Sequence, residues 1–214
     1  MEKSCQMKLL RVLLTVILAL TLYSRKKSAL PRPLSSPVVL AFGDSLTYGY
    51  GSSDPKRRSY PARLEGLTGR PVINAGVNGE TSGEGLRRID ALLKRHHPGL
   101  TLLCLGGNDI LRRIPRKQTK ENLHRIIKKI RASGSEILLI AVPDLSLLGL
   151  HDLSLYDELA RELKVPLAGD VLGPVLSDPS LKSDPIHPND RGYRRMAERI
   201  YEAIKKAGFD GRER

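Results

Sequence analysis

The chain has 214 residues, of which 40% are hydrophobic and 28% charged, with two cysteines and a formal net charge of +13. These values fit one globular domain of ordinary size and exclude both a disordered chain and a disulfide framework. The charge does not make the chain a nucleic-acid binder: residues 1 to 32 hold +6 of the excess, and aromatic residues, the usual stacking platforms, are only 4% of the sequence.

Residues 12 to 23 form an uncharged apolar run preceded by Lys8 and Arg11 and followed by Arg25, Lys26 and Lys27. A basic region before an apolar stretch of this length has the form of an export signal, so residues 1–27 read as a signal peptide or as a short membrane anchor. The expected address is outside the cytoplasm, either periplasmic or anchored to the inner membrane and facing the periplasm. Residues 28–37 contain three prolines and read as a linker, 38–207 as the folded domain, and 208–214 as a C-terminal tail.

Within the domain, Val38 to Phe42 is a short apolar run ending at Gly43, and Pro71 to Ala75, Leu100 to Leu105 and Glu136 to Val142 repeat the pattern, with a weaker run from Val165 to Ala168. Each reads as a buried strand. Between them lie apolar residues at three- and four-residue spacing: Leu86, Ile89 and Leu93; Leu123, Ile126, Ile127 and Ile130; Leu155, Leu159 and Leu163; and Tyr193, Met196, Ala197, Ile200 and Ile204. Strands alternating with amphipathic helices predict a parallel sheet covered on both faces, a three-layer α/β/α sandwich. In such a sheet the ligand site lies beyond the carboxyl ends of the strands.

The polar, glycine-rich clusters fall where that rule places them. Gly43-Asp44-Ser45-Leu46-Thr47 follows the first run, Asn74-Ala75-Gly76-Val77-Asn78-Gly79-Glu80-Thr81 the second, and Gly106-Gly107-Asn108-Asp109 the third, while Asp184-Pro185-Ile186-His187-Pro188-Asn189 precedes the last helix. Ser45 stands at a strand-to-helix turn, where a hydroxyl projects into the cleft. A serine there can be merely a helix cap, and becomes a nucleophile only with a base to take its proton. His187 is the candidate base and Asp184, three residues earlier, the carboxylate that orients it. The remaining need is for donors to an oxyanion. Ser45 offers its N–H, Gly76 an N–H with no side chain in the way, and Asn108 a side-chain amide. His96, His97, His124 and His151 read as structural or solvated, Cys104 as a buried thiol, and Asp44 and Asp109 as loop supports.

On these four blocks the sequence resembles the SGNH hydrolase superfamily, also called GDSL esterases and lipases, from about Val38 to Lys206. It is most similar to the bacterial branch of thioesterase I, lysophospholipase L1 and arylesterase. The resemblance implies a flavodoxin-like sheet of five parallel strands, Ser45 as nucleophile, Asp184 and His187 completing a triad, and Ser45, Gly76 and Asn108 as the oxyanion hole. It implies no metal and no organic cofactor. Tyr48 and the pair Arg112-Arg113 depart from the expected pattern around the site.

The activity expected is hydrolysis of carboxylic esters or thioesters through an acyl-enzyme on Ser45. Its partner is a small acyl substrate rather than nucleic acid, with membrane association through the N-terminal segment and a monomeric state. The same residues would serve a carbohydrate O-acetylesterase. A non-catalytic surface-binding protein using its basic helices is the reading from another class.

Overall fold

In a computed structural model, residues 34–143 and 154–210 are described. The expected N-terminal signal or anchor (1–27), most of the linker and His151 lie outside them. Five strands form one parallel sheet: β1 (Val39–Gly43), β2 (Val72–Gly76), β3 (Leu100–Cys104), β4 (Glu136–Ile140) and β5 (Leu167–Ala168), in the order β2-β1-β3-β4-β5. β1 and β3 are buried along their whole length, which is why they read as continuous apolar runs rather than alternating ones. β2 lies at an edge and is only partly covered, with Asn74 exposed.

The chain leaves β1 through α1 (Ser45–Tyr48), α2 (Pro55–Arg58) and α3 (Tyr60–Thr68), reaches the edge strand β2, and returns through α4 (Ser82–His96) to β3 on the other side of β1. Because parallel crossovers are right-handed, this reversal of direction puts α3 and α4 on opposite faces of the sheet. α6 (Arg116–Ala132) packs against α4, with α7 (Ser154–Leu163) beside it, while α9 (Asp190–Lys206) packs against α3. The apolar stripes expected of the helices are those that are buried: Ile89 and Leu93 on α4, Leu123, Ile126, Ile127 and Ile130 on α6, and Met196, Ala197, Ile200 and Ile204 on α9. The three-layer sandwich and the parallel five-stranded sheet follow from these elements. α5 (Gly107–Leu111), α8 (Gly173–Leu176) and a 3₁₀ turn (Pro179–Leu181) complete the set.

The domain extends beyond its expected limits. Phe209 is buried in the core although residues 208–214 read as a tail, and Leu34, inside the expected linker, packs against the core. Among the described residues no helix is long and apolar enough to cross a membrane.

Two features of the topology create the site. The strand order reverses between β1 and β3, so the loops leaving these neighbours diverge and open a crevice at their carboxyl ends. Ser45 follows β1 and Asn108 follows β3. His187 arrives from the loop before α9, which is held by an antiparallel bridge between Lys182 and Pro188.

Candidate active site

Ser45 is the first residue of α1. Asp44 caps that helix, its Oδ1 accepting from Leu46 N at 3.0 Å, which fixes the direction in which the Ser45 side chain leaves the turn. Its hydroxyl lies 2.9 Å from Nε2 of His187. On the other side of the ring, Nδ1 lies 2.8 Å from Oδ2 of Asp184. The second oxygen of Asp184 accepts from the backbone N–H of Ile186 at 2.9 Å and of His187 at 2.8 Å, closing the short loop on itself. The order Ser-His-Asp in space is therefore continuous.

The partners of Asp184 decide its ionisation. Partial burial opposes the charge, but the two N–H donors and the imidazole outweigh it, and the pKa falls below the usual carboxylate value. An ionised Asp184 holds the imidazole with Nδ1 as donor, leaving Nε2 as the acceptor facing Ser45. The ring of Tyr50 lies 4.6 Å from that of His187, and the Tyr50 carbonyl is held by the hydroxyl of Tyr193 at 2.7 Å. Asn189 caps α9 with Oδ1 and donates from Nδ2 to Ser180 and Lys182, both at 3.0 Å, so the histidine loop is tied at each end.

A cavity of about 230 Å³ opens beside Ser45 and His187. Asn108 and Gly79 line it, together with the apolar side chains of Leu46, Leu111 and Ile186. The Asn108 amide donates to the Glu80 carbonyl at 3.0 Å and makes a longer contact of 3.4 Å with Oδ2 of Asp44. Among the described residues, the N–H groups of Ser45 and Gly79 have no hydrogen-bond partner.

Gly76 is not where the sequence reading put it. It is the last residue of β2, registered against Gly43, and its N–H already donates to Oδ1 of Asn74 at 3.0 Å. It borders a different, larger cleft of about 660 Å³ that does not include Ser45. A Cβ at Gly76 would fall 2.1 Å from Tyr48 N and 2.6 Å from the Thr47 carbonyl carbon, so its small size lets the backbone of α1 rest on β2. Gly79, three residues on, reaches the cavity. The signal that marks it is the dipeptide Asn78-Gly79: this pair favours a turn with positive φ, and Gly79 has φ +75°. A turn beyond the strand end can aim its amide back into the crevice, whereas an amide within the strand cannot.

Asp44 and Asp109 act on loops, as read. Asp109 is fully buried and takes both the N–H and the hydroxyl of Ser82 at the start of α4, with a third contact from Thr119 at 3.2 Å. Asp44 is also buried, and loss of solvent, with Glu80 and Asp109 nearby, raises its pKa to about 7 against backbone hydrogen bonds from Leu46 and from Asp44 itself that lower it. Cys104 is buried, and the same loss of solvent pushes its thiol well up, as befits a core thiol rather than a nucleophile. Among the described residues no group of three or more His, Cys, Asp or Glu side chains is arranged to hold a metal.

Residues 41–195 match the model of the GDSL-like lipase/acylhydrolase family. The chain belongs to this family. It is a serine acyl hydrolase, an enzyme that cleaves carboxylic esters or thioesters. It is 35% identical over 165 residues to the thioesterase 1/protease 1/lysophospholipase L1 of Escherichia coli K12, covering 74% of this chain and 78% of that one. An arylesterase of Vibrio mimicus is 34% identical over 182 residues, covering 80% and 90%. Among solved structures, the psychrotrophic esterase EstA from Pseudoalteromonas sp., inhibited by monoethylphosphonate, superposes with a TM-score of 0.70 at 26% identity, covering 80% of this chain and 98% of that one.

Proposed function

We propose that Ser45 is the nucleophile of this hydrolase and His187 its general base, with Asp184 orienting the imidazole. In this reading Ser45 Oγ attacks the acyl carbon while its proton moves to Nε2, and the carbonyl oxygen becomes an oxyanion. The N–H groups of Ser45 and Gly79 and the amide of Asn108 receive that charge. The tetrahedral adduct collapses to an acyl-enzyme as the imidazolium protonates the departing alcohol or thiol. Water then attacks the acyl group, giving up its proton to His187, which passes it to Ser45 Oγ as the bond to the acyl carbon breaks and the acid leaves.

The observation that carries the proposal is the continuous relay of 2.9 Å and 2.8 Å from Ser45 through His187 to Asp184, opening on a cavity whose Ser45 and Gly79 N–H groups have no partner among the described residues. Leu46, Leu111 and Ile186 give the cavity an apolar wall suited to an acyl chain rather than to a sugar, so the substrate is an acyl ester or thioester of a small alcohol, a phenol or a thiol. The N-terminal segment supports an enzyme acting outside the cytoplasm. The test is a series of p-nitrophenyl esters, palmitoyl-CoA and acetylated sugars assayed with wild type and Ser45→Ala. Turnover of the first two groups, lost in the variant, is expected. A variant that retains turnover would remove Ser45 from the mechanism, and a preference for acetylated sugars would transfer the enzyme to the O-acetylesterase reading.

A further inference from the structure

Arg88 on α4 does not line the cavity, yet its side chain ties together several elements behind the site. Its guanidinium lies against the Phe42 ring, 4.5 Å from the centroid. Nε and Nη2 both donate to the carboxylate of Glu80, whose side chain is only 4% exposed. Nη2 also donates to the carbonyl of Ala75 at 2.8 Å and lies 3.4 Å from that of Gly43. One planar cation therefore joins the carboxyl ends of β1 and β2 to the loop that follows β2.

That loop carries Gly79 and supplies the carbonyl that holds Asn108. Val77 N–H donates to the Gly43 carbonyl at 3.0 Å, and Glu80 N–H donates to Val77 O at 3.2 Å, closing the turn that presents Gly79. The carbonyl of Glu80 is the acceptor, at 3.0 Å, that orients the Asn108 amide. Two of the three donors thus take their position from the Glu80 backbone, and the Glu80 side chain is located by Arg88. A buried ion pair of this kind adds little net stability over an apolar pair of similar volume. A bidentate guanidinium–carboxylate contact instead fixes distance and plane.

We infer that the Arg88–Glu80 pair is a positioning device for the oxyanion hole, setting the Gly79 N–H and the Asn108 amide relative to Ser45. This inference rests on the catalytic reading above. Because reacting groups displaced by about 1 Å can lose roughly 10²-fold in rate, releasing the loop should lower kcat without an equal change in KM.

The test is a cycle with p-nitrophenyl butyrate. Arg88→Met combined with Glu80→Leu removes both charges, so that neither is left buried alone, and is placed in wild type and in Asn108→Ala. In wild type kcat should fall about 10- to 100-fold with KM within about threefold. In the Asn108→Ala background the same pair of changes should cost clearly less than in wild type, because the part of the loss that acts through Asn108 is already gone and only the part acting through Gly79 remains. An unchanged kcat in a variant with wild-type Tm overturns the inference, as does a full multiplicative loss in the Asn108→Ala background. Should the double variant not fold, Arg88→Lys keeps the charge but loses the fork; reduced kcat with unchanged KM supports the inference and unchanged kcat overturns it. Failure of the catalytic reading is separately visible, since Asn108→Ala alone would then leave kcat intact.

Discussion

Asp44→Asn should make the protein more stable at alkaline pH while making it a worse enzyme. Asp44 is 2% exposed, and its pKa rises from 3.8 to about 7 on folding. Between those values the folded protein holds a proton that the unfolded chain has released, so the contribution of this group to stability is complete below 3.8 and is lost as pH rises through 7. A rise of about three pH units at 1.36 kcal/mol each corresponds to roughly 4 kcal/mol, of which about 3 kcal/mol falls between pH 5 and pH 8. Asparagine has nearly the same shape and caps helices as well as aspartate, so the bond from Leu46 N at 3.0 Å survives. It does not titrate. Urea denaturation of both proteins at pH 5 and pH 8, followed by circular dichroism, gives the difference directly. The stability of the variant relative to wild type should improve by about 3 kcal/mol between these pH values. A difference that is the same at both, or that moves against the variant at pH 8, would refute the burial argument. Activity should fall at pH 8, where the new amide N–H faces the Asn108 amide in place of the carboxylate oxygen that lay 3.4 Å from it.

Other substitutions separate the roles of neighbouring residues. Gly76→Ala should reduce both Tm and kcat, since a Cβ 2.1 Å from Tyr48 N must push α1, and Ser45 with it, off β2. Gly79→Ala has room, its nearest atom being Arg112 Nη2 at 3.4 Å, but φ of +75° strains any side chain. It should cost about 1 kcal/mol in a denaturation experiment, with a larger loss in kcat as the N–H turns away. Asp184→Asn should lower kcat about 10⁴-fold with little change in KM, through loss of the correct imidazole tautomer. Since the pKa of Asp184 is lowered, the carboxylate stays charged across the working range.

The sheet was legible because β1 and β3 are covered on both faces and leave unbroken apolar runs, while the helices between them keep a single apolar stripe. The meeting of Ser45, His187 and Asp184 was legible for a similar reason: Ser45 lies two residues past β1, and Asp184 and His187 belong to one short loop. Gly76 misled because both Gly76 and Gly79 read as following the second strand, and the choice between them depends on where that strand ends, a matter of one residue of pairing with Gly43 that composition does not encode. The Arg88–Glu80 pair was hidden for a different reason. Arg88 sits next to Arg87 in a polar part of its helix pattern, and only the crossover from β2 brings it against Phe42 and onto the buried carboxylate. Leu34 and Phe209 likewise join the core through contacts with residues distant in sequence.

The central claim is that Ser45, activated by His187, is acylated during turnover. A fluorophosphonate probe, followed by mass spectrometry of the labelled peptide, tests it most directly. The account predicts one equivalent of label on Ser45, abolished in Ser45→Ala, greatly slowed in a His187→Ala variant, and matched by loss of esterase activity. Label on another residue, or an active protein that remains unlabelled, would contradict it.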